Sequence, residues 1–101
     1  MSITKTVENQ ETVISLSGRL DSNTSADFQK ELEPVWEAGD TDIVINMEEL
    51  NYISSAGLRI LLLAEKKCKA NKRHLTIKGA NQSICEIFDI TGFSGILTIV
   101  E

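Results

Sequence analysis

Asn51-Tyr52-Ile53-Ser54-Ser55-Ala56-Gly57-Leu58-Arg59 decides how this chain is read. It follows an apolar run, Ile43-Val44-Ile45, and opens a strongly apolar helical pattern from Leu58 to Cys68. A strand gives way to a helix here. A serine directly before such a pattern is a good N-cap, because its side-chain oxygen accepts from a helical N–H that lacks a carbonyl partner. Two serines stand in that place, ahead of Ala56 and Gly57. Glycine in a first helical turn costs stability relative to alanine and leaves the backbone open to close approach. A serine hydroxyl at the positive end of a helix, beside uncovered backbone, is a candidate to carry a phosphate.

Toward the N-terminus, Asp42 to Met47 reads as a third strand, and its unbroken Ile-Val-Ile predicts burial on both faces. Before it comes a helix starting at Thr24, with Asp27 three residues on, close to a capping box. Phe28, Leu32, Val35 and Trp36 give that helix one buried face. Pro34 is expected to weaken or kink it, and Gly39 to close it. Gly18 to Asn23 is a polar loop leading in. Ile3 to Val7 alternates as a half-buried strand should, and Thr12 to Leu16 follows across a turn at Asn9-Gln10-Glu11, so the two form a hairpin.

Toward the C-terminus, the second helix runs from about Ser55 to Ala70. Leu58, Leu61, Leu62, Glu65 and Cys68 line one side, and Ile60 and Ala64 widen the stripe. His74 to Lys78 alternates, with Leu75 and Ile77 inward. Gln82 to Ile90 is a short helix carrying Ile84, Ile87 and Phe88 on one face, stopped by Gly92. Gly95 to Val100 is a final strand. Strands alternating with helices after an opening hairpin define an α/β fold, one mixed sheet of about five strands with helices packed on it. At 101 residues the chain is expected to be a single domain, 1–101.

A net charge of −5 argues against binding a nucleic-acid backbone, which needs a clustered excess of Lys and Arg. The densest basic stretch, Lys66-Lys67 to Lys72-Arg73, closes the second helix, where cations complement the negative end. Cys68 and Cys85 fall in helical patterns and read as buried small hydrophobes in a reducing compartment, without metal-ligand spacing. The first residues lack the apolar core of a signal peptide, and the longest apolar run, Ile60 to Ala64, is too short to span a bilayer. A cytoplasmic protein without a membrane partner is expected.

Nothing assembles an active site. His74, the only histidine, alternates outward; there is no G-x-S-x-G elbow, no P-loop and no dinucleotide fingerprint. Glu48 and Glu49, on a loop after the third strand, read as a solvated turn, and Trp36 and Phe28 as core. No catalytic residue, metal or cofactor is expected, so the chain is read as a non-enzyme.

The segment Ile45 to Leu58 resembles the signature of the STAS family, and more narrowly that of bacterial anti-sigma-factor antagonists. In that family a short strand leads through an aromatic-aliphatic-Asp-Ser-Ser/Thr-Gly-Leu loop to a helix. Gly18-Arg19-Leu20-Asp21 followed by Thr24 resembles the family's Gly-x-aliphatic-Asp loop. Phe88-Asp89-Ile90-Thr91-Gly92-Phe93 resembles its Phe-Asp-aliphatic-Ser/Thr-Gly-aliphatic segment. Three motifs in order span nearly the whole chain.

The resemblance implies a phosphorylatable switch protein. Unmodified, such a protein binds an anti-sigma factor that is also a serine kinase, and thereby frees a sigma factor. The kinase phosphorylates the serine before the Ser/Thr/Ala-Gly pair, here Ser55, and a PP2C-type phosphatase restores it. Asp21 matches a residue beside the phosphorylation site. Asp21, Ser54, Ser55, Gly57, Leu58 and Arg59 are thereby the expected partner-binding residues. The family's Asp before the acceptor is Ser54 here, which removes a charge.

Physics adds a mechanism to that expectation. A phosphate adds about −1.5 to −2 charge. The helix dipole favours it by roughly 0.3–2 kcal/mol, whereas like charges across a docked interface cost several kcal/mol. About 4 kcal/mol weakens binding roughly a thousandfold. The alternatives are that Ser55 is a plain N-cap, and that the chain is an unphosphorylated STAS adaptor in a signalling or transport complex.

Overall fold

Asn9 and Gln10 both adopt positive φ, 52° and 63°, the backbone that a tight two-residue hairpin demands. They join β1 (Ser2–Glu8) to β2 (Glu11–Leu20), which pair antiparallel from Ser2↔Ser17 to Glu8↔Glu11. The computed structural model describes residues 1–100. After the hairpin come α1 (Ser25–Ala38), β3 (Asp42–Ile53), α2 (Ser55–Ala70), β4 (Leu75–Lys78), α3 (Gln82–Thr91), a 3-10 turn at Phe93–Gly95, and β5 (Thr98–Val100). The α/β expectation holds in element order and in sheet type.

The five strands lie in chain order, β1-β2-β3-β4-β5, with β2 to β5 mutually parallel. Parallel crossovers are right-handed, so a sheet that always grows in the same direction puts every helix on the same face. Burial follows. Ile14 and Leu16 of β2, Ile43, Ile45 and Met47 of β3, and Leu75 and Ile77 of β4 are buried, while Val13, Ser15, Val44, Asn46 and Thr76 between them are half-exposed. β3 is thus buried on one face, not two. The half-exposed side of the sheet forms an open groove of about 400 Å³. β1, an edge strand, is mostly exposed, with Ile3 alone half-buried and Val7 in solvent.

β3 is longer than the expected Asp42 to Met47, because two irregularities carry it onward beside β2. Ser15 pairs with Asn46 but Ser17 with Glu49, and Gly18 pairs with Leu50 but Arg19 with Tyr52. Each step places an extra residue on β3, the signature of a bulge. The bulges shift the pleat, so Met47, Leu50 and Ile53, three apart, all reach the core. Glu48 and Glu49 therefore belong to a strand rather than a loop, and both are exposed. β2 likewise absorbs Gly18, Arg19 and Leu20, which the sequence placed in a loop.

The helices close a single core. Phe28, Leu32 and Trp36 of α1, Leu61, Ala64 and Cys68 of α2, and Ile84 and Phe88 of α3 pack against the buried sheet face. Leu62, expected on the buried side of α2, is only half-buried. Pro34 neither ends nor divides α1. It is exposed, as is Lys30, so the carbonyl it cannot reach lies on the solvent side. Gly39 caps α1 in the left-handed region at φ 63°, donating to Val35 O at 3.2 Å. Asn71 and Arg73, past the end of α2, clasp the same end of α1: Asn71 Nδ2 donates to Trp36 O at 2.8 Å and Arg73 Nε to Gly39 O at 3.2 Å. β5 is shorter than expected, since Gly95 ends the 3-10 turn and only Thr98–Val100 pair with β4. Among the described residues no helix is long and apolar enough to cross a membrane.

Candidate functional site

Leu20 and Ile53 are register partners at the ends of β2 and β3, and both are buried. Side-chain alternation then hands the next residue of each strand, Asp21 and Ser54, to the same pole of the molecule. The Ser54 N–H donates to Leu20 O at 2.8 Å, tying the two segments together as the sheet ends.

Asp21 organises its own turn. Its Oδ1 accepts from the N–H groups of Asn23 and Thr24, each at 3.0 Å. The Thr24 N–H, with help from its hydroxyl and from Asn23, holds the Asp21 carboxyl below its ordinary value against the opposing effect of desolvation. Thr24 Oγ1 in turn accepts from the Asp21 N–H at 2.9 Å and donates to Arg19 O at 2.8 Å. A hydroxyl so engaged cannot cap α1, and Thr24 makes no side-chain cap bond. The expected capping box with Asp27 is replaced by this loop.

The two serines divide their roles. Ser54 is the N-cap of α2, in extended backbone, and its Oγ accepts from the Gly57 N–H at 3.3 Å. Ser55 is the first helical residue and is exposed, and among the described residues its hydroxyl forms no hydrogen bond. The reading of Ser55 as a plain N-cap is thereby corrected, since the preceding serine already holds that position.

Gly57 is buried, and its open backbone serves packing. A Cβ there would stand 2.8 Å from Leu20 Cγ and Cδ2 and 3.0 Å from Ile53 Cγ1. The close approach it allows is by these side chains, which lets the first turn of α2 sit on the sheet end. Leu58, 7% exposed, anchors the same turn in the core. Asp21, Ser54, Ser55 and Arg59 present polar groups at this pole, whereas Gly57 and Leu58 support it from beneath.

Sequence reasoning missed Arg19 and Tyr52. They are register partners across β2 and β3, and the Arg19 guanidinium lies 4.2 Å from the Tyr52 ring centroid. Both lie within the quoted motifs, but only the bulged register of β3 shows that they meet. His74 is exposed, as its alternation predicts. Cys68 is buried, and burial, with the nearby Glu65 and Asp42 charges, pushes its thiol up to about 11. Cys85 is a half-buried free thiol.

A family model described as "Mlab, STAS domain" matches residues 3–101. The chain belongs to the STAS domain family. Its relatives include an anti-sigma-B factor antagonist of Staphylococcus aureus (strain NCTC 8325 / PS 47), 28% identical over 101 residues, covering 100% of this chain and 94% of that protein. An anti-sigma-B factor antagonist of Staphylococcus epidermidis is 28% identical over 88 residues, 87% of this chain and 82% of its own. Among solved structures, a putative anti-sigma factor antagonist of Thermotoga maritima superposes with a TM-score of 0.92 at 13% identity, over 98% of this chain and 86% of that one. The unphosphorylated form of the anti-sigma factor antagonist SpoIIAA gives 0.80 at 18% identity, over 99% and 88%. The phosphorylated form of SpoIIAA, a Bacillus cell fate determinant, gives 0.78 at 18% identity, over 99% and 92%. The fold is that of these antagonists.

Proposed function

We propose that this protein is an anti-sigma-factor antagonist that acts by binding. In the unmodified state it docks on an anti-sigma factor that is also a serine kinase, and so releases a sigma factor or another client. Phosphorylation of Ser55 ends the interaction. In that step the Ser55 oxygen bonds to the γ-phosphorus of ATP, ADP leaves, and the hydroxyl proton passes to a base on the kinase. A PP2C-type phosphatase returns the serine by hydrolysis. The docking face is the pole formed by the Asp21 turn, Ser54, Ser55 and the exposed side of α2 at Arg59, and the exchange takes place in the cytoplasm.

The observation that carries this reading is the division of labour between the two serines. Ser54 caps the helix, so Ser55 is left exposed with an unengaged hydroxyl at the positive end of α2. Modifying it breaks no bond that the fold uses. The match to an anti-sigma-B factor antagonist over the whole of this chain and 94% of that protein supports the class of partner. The likeness to SpoIIAA, solved in both phosphorylation states, supports a switch that leaves the fold in place.

The test is intact-mass analysis with site mapping after incubation with ATP and a candidate anti-sigma factor that is also a serine kinase. One added phosphate on Ser55, with a large loss of mutual affinity, is the expected result. Unabated phosphorylation of Ser55→Ala would move the acceptor elsewhere. A tight complex that never becomes phosphorylated would leave a docking adaptor instead.

A further inference from the structure

We propose that Arg59 is a built-in counter-charge for a phosphate on Ser55. On this view modification does two things: it adds negative charge to the docking pole and withdraws the guanidinium that the unmodified protein offers there. The inference rests on the reading of Ser55 as the acceptor and adds the means by which the modified state is set.

Ser55 and Arg59 are both exposed and lie four residues apart on α2. Residues at that spacing are neighbours on a helix surface, with Cβ atoms roughly 5–6 Å apart, and an anion on the N-terminal side of a cation is the favourable order. A guanidinium offers phosphate two parallel N–H donors from one planar fork, a geometry that an ammonium lacks. The other residue within a helical turn on that side, Leu58, is buried and apolar.

The neighbouring charges are committed elsewhere. The Asp21 carboxylate is held by the N–H groups of its own turn. Arg19 lies on the Tyr52 ring. The first turn of α2 contains no acid, and among the described residues Arg59 takes part in no ion pair. Before modification its charge is therefore available to an acidic group on a partner. After modification the phosphate, tethered one turn away, competes for the same guanidinium with the advantage of being intramolecular. Partner release then comes from a lost attraction as well as from a new repulsion.

The experiment uses the full chain with phosphoserine placed at position 55 during translation, so that no kinase is needed. The second ionisation of the phosphate is followed by phosphorus NMR across pH. The phosphate of the wild-type chain is expected to bind its proton about two- to fivefold more weakly than that of Arg59→Gln, with Arg59→Lys in between. Raising the salt to about 0.5 M should bring the wild type toward the glutamine variant. Superimposable titrations would overturn the proposal, and so would a difference indifferent to salt, which would reflect an altered helix start. Arg59 is exposed, so the variants keep the core intact. A kinase that ignores Ser55 would defeat the proposed function and leave this result standing on its own.

Discussion

Gly57 stands so near Leu20 that a Cβ on the glycine would lie 2.8 Å from both Cγ and Cδ2 of the leucine. The contact joins the first turn of α2 to the last residue of β2, and so holds Ser55 beside the Asp21 turn. Gly57→Ala would gain up to about 1 kcal/mol of helix propensity but incur an overpacking cost of about 1–3 kcal/mol. A net loss near 1 kcal/mol is expected in urea unfolding. In Leu20→Ala/Gly57→Ala the two closest contacts are gone and only the 3.0 Å approach to Ile53 Cγ1 remains, so the double variant should be more stable than the sum of the two single losses predicts. Strict additivity would show that Leu20 is not what the glycine accommodates.

The serines should separate cleanly. Ser54→Ala removes the acceptor for the Gly57 N–H and is expected to cost about 1 kcal/mol. Ser55→Ala touches no bond and should stay within roughly 0.5 kcal/mol of wild type. Ser54→Asp keeps the cap and adds charge at the positive helix end, for a gain of about 0.3–1 kcal/mol at low salt. Thermal melts of the three variants decide the matter; equal losses for the two alanines would mean that the cap is shared.

For Asp21 the pH dependence has a definite sign. Its folded-state carboxyl is lowered, chiefly by the Thr24 N–H, so its contribution is complete above the ordinary carboxylate value near 4 and is lost as pH falls through the lower folded value. Asp21→Ala should be less stable than wild type at neutral pH, and the gap should close in acid. Amide exchange at Asn23 and Thr24 should quicken in the variant, because those N–H groups lose their acceptor. A stability gap that persists unchanged below pH 3 would mean that the carboxylate is not what the turn depends on.

Cys68 makes the opposite prediction at high pH. Its thiol is raised to about 11 from an ordinary 9.0, so the folded chain keeps a proton that the unfolded chain gives up. Stability should decline as pH rises from 9 to 11. Cys68→Ala should flatten that decline while lowering stability at neutral pH by the packing it removes. With a thiol-reactive dye at pH 8, the half-buried Cys85 should label before Cys68. Equal labelling rates in the folded protein would contradict the burial of Cys68.

Much of this architecture is written in local pattern. The alternation of Thr12 to Leu16 and of Leu75 to Ile77, the helical face of Phe28, Leu32 and Trp36, and the glycine stops at Gly39 and Gly92 each reflect short-range geometry. What escaped reading depends on partners far away in sequence. Leu50 and Ile53 sit three apart, which no regular strand repeats, and only the bulges against β2 bring both inward. The open side of β3 follows from strand order, which the Ile-Val-Ile run does not contain. Ser54 rather than Ser55 caps α2 because the chain is already bonded to Leu20 O as it leaves the sheet. That Asp21, Ser54 and Ser55 share one pole follows from the paired ends of β2 and β3, while the Arg19–Tyr52 stack needed the third dimension.

Strand order that repeats chain order also bears on how the molecule is made. Each strand after β1 lies beside the strand that precedes it in the chain, so a nascent chain can dock each new unit on an edge already formed. The pole that carries Ser55 is complete once α2 has emerged. Assembly of that pole on the ribosome would then precede β5, whose three residues merely hem the far border of the sheet.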